Sequence, residues 1–116
     1  MSRVLIHGET EAVAVSSLIH ATSMGARMKG LLGRKRLDAD TGLLIDPCRS
    51  IHMWFMRFPI DAVFLDADDR VLKVARGLRP WAVAIAPRKT ARVLETAAGA
   101  MVAVNAGDQL IVESPP

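Results

Sequence analysis

The sequence holds a single cysteine, Cys48, so no disulfide can form within the chain. That suits a reducing compartment. Aromatic residues are scarce: no tyrosine, two tryptophans and three phenylalanines. The basic residues are spread along the chain, and the densest cluster is Arg34-Lys35-Arg36. A strong nucleic-acid binder shows a longer basic stripe with aromatics for stacking, so nucleic acid is not the expected partner. No run approaches the roughly 20 apolar residues that span a bilayer, so no membrane span is expected. The N-terminus lacks a basic flank followed by a long apolar stretch, which argues against a secretory signal. His7, His20 and His52 stand at no metal-ligand spacing, and no zinc site is expected. Gly30 to Gly33 lacks both the Lys-Ser/Thr of a phosphate loop and the glycine spacing of a dinucleotide site. No cofactor is expected, and the default location is the cytoplasm.

What is present fits one domain over residues 1–116 with a frayed tail at 114–116. Hydrophobic residues make up 51% of the chain, enough for a real core without metal or disulfide staples. The formal charge is +3, mildly basic.

Arg3 to His7 and Ala12 to Ile19 read as strands around a turn at Gly8-Glu9. Ser23 to Gly33 reads as a helix, with Ser23 as N-cap. Met24, Met28, Leu31 and Leu32 fall on one helical face, and Gly33 ends it. Gly42 to Ile45, Ile51 to Met56, Ala62 to Leu65, Val71 to Ala75, Ala82 to Ala86, Ala91 to Glu95 and Leu110 to Glu113 read as further strands. Asp66 to Asp69 reads as a hairpin turn. Ala98 to Val104 fits either a short helix or a strand. Short strands at close spacing, few of them separated by a helix, predict a mainly antiparallel, partly closed sheet with one or two short helices.

The stretch SIHMWFMRFPID, from Ser50 to Asp61, is too apolar for a surface loop and too polar for an ordinary core strand. Pro59 lacks an N–H, so a sheet ladder breaks or bulges there. Beyond it Ile60, Ala62 and Phe64 share one face, and Asp61, Val63 and Leu65 the other. Asp61 therefore sits in an apolar row, where a carboxylate needs partners. Backbone N–H groups freed near Pro59 are one source. An arginine is another, from Arg57 or from Arg27 and Arg34, which lie seven residues apart on one edge of the predicted helix.

The pieces ARMKGLLGR, GLLIDPCRSIHMWFMRFPIDAVFLD, RGLRPW, ARVLETAAG and AGDQLIV occur in this order between Ala26 and Val112. In them the chain resembles the DUF192 family, also called UPF0127, of uncharacterised bacterial and archaeal proteins. The resemblance implies a small α+β domain on an antiparallel, barrel-like sheet, and no established activity. Many relatives carry an N-terminal export or lipoprotein signal; the departure here favours the cytoplasm. The family's aromatic-Met-basic core is matched by Phe55, Met56 and Arg57, its following acid by Asp61, its Leu-Glu by Leu94 and Glu95, and its helix arginines by Arg27 and Arg34. Thr96 replaces a usual small or aliphatic residue.

Together these readings predict a non-catalytic binding or accessory domain. Its ligand site gathers Arg27, Arg34, His52, Arg57, Asp61 and Glu95 beside an apolar wall of Trp54 and Met56. The arginines hold a small anionic or carbonyl-bearing ligand, and the carboxylates orient them. Two alternatives stay open. One is a small hydrolase-like enzyme in which His52 and Asp61 move protons. The other is a protein-interaction module using Trp81 and the basic loops. Arg34-Lys35-Arg36 and Arg88-Lys89 are candidates for an anion, with solvated loop charge as the default reading. Cys48 reads as a packed thiol rather than a nucleophile.

Overall fold

The computed structural model describes residues 2–8, 12–21, 38–48, 50–52, 58–80 and 82–113. Ten strands run through them: β1 (Arg3–Ile6), β2 (Val13–Val15), β3 (Ser17–Ala21), β4 (Thr41–Ile45), β5 (Ser50–His52), β6 (Ile60–Leu65), β7 (Val71–Leu78), β8 (Val83–Ile85), β9 (Arg92–Ala97) and β10 (Leu110–Glu113). A five-stranded sheet has the order β3-β4-β9-β6-β7. A three-stranded sheet has the order β10-β1-β2, and β5 pairs with β8 as a two-stranded ribbon. Every pairing is antiparallel except β3 with β4, which is parallel.

This corrects the expected α+β, barrel-like architecture. Among the described residues there is no helix, and the molecule is all-β. The predicted helix over Ser23 to Gly33 lies outside the described residues. Ala98 to Val104, read as helix or strand, is neither. It is a run of tight turns, closed by Ala100 N donating to Ala97 O (3.0 Å) and Val104 N to Met101 O (3.0 Å). Nor does the large sheet close on itself. Its end strands β3 and β7 do not pair with each other, so it keeps two edges where a barrel has none.

The strands form where apolar residues alternate or run together. Every residue of β6 is buried, as suits a strand covered on both faces. Its alternation divides the core. Ile60, Ala62 and Phe64 pack with Leu43, Ile45, Cys48, Phe58, Ala84 and Val93. Val63 and Leu65 pack on the other side with Leu44, Leu94, Met101 and Val104, together with Val4, Val15 and Leu110 from the small sheet. The ribbon strand β8 sends Ala84 into the first cluster, so the ribbon covers that face. The three-stranded sheet covers the other.

Turns follow the predicted chemistry where acids crowd. Asp66 Oδ1 accepts from the N–H groups of Asp68 (2.8 Å) and Arg70 (3.0 Å), and Asp69 takes a positive φ of 65° to close the β6–β7 hairpin.

Candidate functional site

Asp61 is 1% exposed. Three main-chain N–H groups donate to it: Gly77 to Oδ1 (2.9 Å), and Gly99 (3.0 Å) and Met101 (3.2 Å) to Oδ2. The donors come from β7 and from the turn after β9, not from the chain around Pro59. Opposite Asp61, β7 carries a bulge. Ile60 pairs with Leu78 and Ala62 with Ala75, so Arg76 and Gly77 together face one residue of β6. Gly77 has φ +61°, a conformation that favours glycine, and this aims its N–H at the carboxylate.

Arg76 completes the grip on the same turn. Its guanidinium donates to Met101 O (2.5 Å) and Val104 O (2.6 Å). A carboxylate thus holds the turn by its N–H groups, and a guanidinium holds it by its carbonyls. Charge-assisted bonds of this kind are the stronger ones. Thr96, opposite Asp61 on β9, is fully buried and donates its hydroxyl to Ala97 O (3.3 Å).

Glu95 is also fully buried, but on the other side of the sheet. In the β6–β9 register Asp61 pairs with Thr96 and Ala62 with Glu95. Paired residues share a face and neighbours along a strand do not. Glu95 therefore goes with Ala62, Val93 and Leu43, and Asp61 with Val63 and Leu94. Glu95 is engaged rather than free. The sheet lies between these two carboxyl groups.

Of the other predicted site residues, His52 ends β5 opposite Val83, on the ribbon that covers Glu95's face. Arg27, Arg34, Trp54, Met56, Arg57 and Trp81 lie outside the described residues. His7 follows β1 and His20 lies on β3, both exposed. Cys48 is buried in the core, with its N–H bonded to Ala91 O (3.0 Å). Among the described residues no group of His, Cys, Asp and Glu is arranged to hold a metal ion.

A cleft of about 670 Å³ opens at the other end of β9. Asp46 and Pro47 form one wall, and the segment Ala86 to Ala91 the other. Two main-chain bonds fix these segments to each other and to the end of β6: Cys48 N to Ala91 O (3.0 Å) and Ala91 N to Leu65 O (2.8 Å). The second wall is a closed turn. Both the N–H (3.1 Å) and the hydroxyl (2.8 Å) of Thr90 donate to Pro87 O, so Arg88 and Lys89 stand at its tip. Both are exposed, and neither forms an ion pair with a described residue. Asp46 is matched by Arg92 (3.6 Å), which also bridges to Asp69. The unmatched charge of the cleft is therefore positive. The sequence named Arg88-Lys89 as a basic loop, but nothing local brings Pro47 beside it.

The family model of DUF192, described as Uncharacterized ACR, matches residues 4–112. The chain belongs to the DUF192 family. The comparison with curated proteins finds no match. Two solved structures share the DUF192 fold seen here. A protein of unknown function from Novosphingobium aromaticivorans DSM 12444 superposes with a TM-score of 0.79 at 24% identity, over 94% of this chain and 83% of that one. A protein from Sinorhizobium meliloti 1021, described as a candidate transcription regulator, superposes with a TM-score of 0.78 at 25% identity, over 96% of this chain and 92% of that one. Among the described residues no helix is long and apolar enough to cross a membrane.

Proposed function

We propose that this DUF192 chain is a non-catalytic domain that binds a small anionic or carbonyl-bearing ligand. The observation that supports this reading most is the preformed cleft beside Arg88 and Lys89, whose two cations lack acidic partners among the described residues. A turn closed by Thr90 fixes the main chain that carries both cations, which lowers the backbone part of the entropic cost of binding. His52, on the ribbon, and Glu95, on the sheet face that the ribbon covers, remain part of the proposal, and Arg27, Arg34, Trp54, Met56 and Arg57 stay in it on the sequence alone. Asp61 enters it as the group that fixes the fold, because its oxygens already take three main-chain N–H groups. The same arrangement weighs against an acid–base pair of His52 and Asp61. The ribbon that carries His52 covers the sheet face opposite Asp61. A cytoplasmic location belongs to the same reading and fits a chain whose one cysteine, Cys48, can form no internal disulfide.

Thermal melting with inorganic phosphate and small carboxylates tests the binding. A ligand present at about a hundred times its Kd raises Tm by on the order of 10 °C. The double variant Arg88→Ala/Lys89→Ala melts like the wild type without ligand and loses the shift. If no anion moves the wild type, or the variant shifts equally, the cleft is not the site.

A further inference from the structure

Between Arg70 and Leu94 the chain carries Arg70, Lys73, Arg76, Arg79, Arg88, Lys89 and Arg92, and no acidic residue. Three of these cations are tied to segments away from β8. Arg70 donates to Gly107 O (3.0 Å), Arg76 holds the turn after β9, and Arg92 pairs with Asp46 and Asp69. Arg70 and Arg76 are exposed even so, and so are the four that remain, Lys73, Arg79, Arg88 and Lys89. These four bracket β8: Arg79 lies just before it, Arg88-Lys89 just after it, and the Lys73 amino group donates to Ile85 O (3.2 Å). Within that bracket Val83 is 54% exposed and Ile85 78% exposed. By strand alternation they point the same way, away from the core that Ala84 enters. Trp81, two positions earlier in the sequence, continues the same period of apolar residues.

We infer that β8 and its flanks form a docking surface for an anionic phospholipid membrane. The aliphatic side chains enter the headgroup boundary, and the four remaining cations meet the lipid phosphates. Two features favour a lipid surface over an acidic peptide. Lys73 already occupies the Ile85 carbonyl, so that part of the strand edge is not open to main-chain pairing by an added strand. Val83 and Ile85 also project outward rather than lining a groove, which suits a broad partner that reads summed charge. Nucleic acid offers the phosphates but leaves both aliphatic side chains in water.

Co-sedimentation with phosphatidylcholine vesicles, with and without phosphatidylglycerol, tests this on the whole chain. Binding is expected only to the anionic vesicles, and it falls as salt rises. Arg88→Gln and Lys89→Gln each weaken it roughly fivefold. Val83→Ser/Ile85→Ser weakens it as well, yet leaves melting and the phosphate response of the cleft unchanged. That variant separates this inference from the cleft reading, which survives if vesicles fail. Should the double variant melt early, Ile85→Ser alone carries the test. Absence of vesicle binding, serine variants that bind vesicles as the wild type does, or binding to a DNA duplex in place of vesicles would overturn the inference.

Discussion

Asp61 shows how one side chain can be both foreseen and misread. Its place in an apolar row followed from alternation along β6, and the need for partners followed from burial. The identity of the donors did not, because Gly77, Gly99 and Met101 are 16, 38 and 40 residues away. Replacing Asp61 by alanine leaves their N–H groups without an acceptor. At about 1–3 kcal/mol for each unsatisfied buried group, with Gly77 and Gly99 partly reached by water, the loss is roughly 3 kcal/mol. Asp61→Asn keeps one oxygen but turns an amide NH₂ toward donors, and is expected to fall in between. Urea denaturation measures both; an alanine variant as stable as the wild type contradicts the assigned role. Gly42 offers a steric counterpart. An added Cβ would lie 3.0 Å from Leu94 Cδ1 and 3.1 Å from both Val15 methyls, in the core between the two sheets. Gly42→Ala should cost about 1 kcal/mol of stability, the lower end of overpacking, and so lower the urea midpoint. An unchanged midpoint would mean that those methyls move aside freely.

At the scale of elements, strands were legible because alternation is local, and pairing was not because it is not. The parallel contact of β3 with β4 leaves no mark in either segment, whereas the β7 bulge is marked by Gly77 alone. The turn after β9 was ambiguous for a definite reason. AAGAMVAV carries apolar residues that suit a helix or a strand, and two charges from other elements decide between them. Asp61 holds its N–H groups and Arg76 its carbonyls. Removing the second grip by Arg76→Ala should speed hydrogen exchange at Met101 and Val104 while leaving the Glu95 amide of β9 protected. Uniform acceleration along β9 would show that Arg76 supports the whole sheet instead.

For the whole molecule, the sheet separates charges that the sequence reading groups into one site. It puts Asp61 and Glu95 on opposite faces, and it sets the clamped turn at one end of β9 and the cleft at the other. Asp46-Pro47 and Ala86 to Ala91 meet because β4 pairs with β9, about fifty residues later in the chain, and Cys48 N bonds to Ala91 O, so no sequence spacing reveals their cleft. The acid-free segment from Arg70 to Leu94 is plain in the sequence, whereas the three of its cations tied to segments away from β8 are not. The most direct measurement is an amide chemical-shift titration with inorganic phosphate. The expected changes gather at Asp46, Cys48 and Arg88 to Ala91, and they vanish in Arg88→Ala/Lys89→Ala, while the amides of Gly77, Gly99 and Met101 stay still. Shifts centred on those three amides, or no shifts at all, would contradict a cleft that receives the ligand and a carboxylate that only holds the fold.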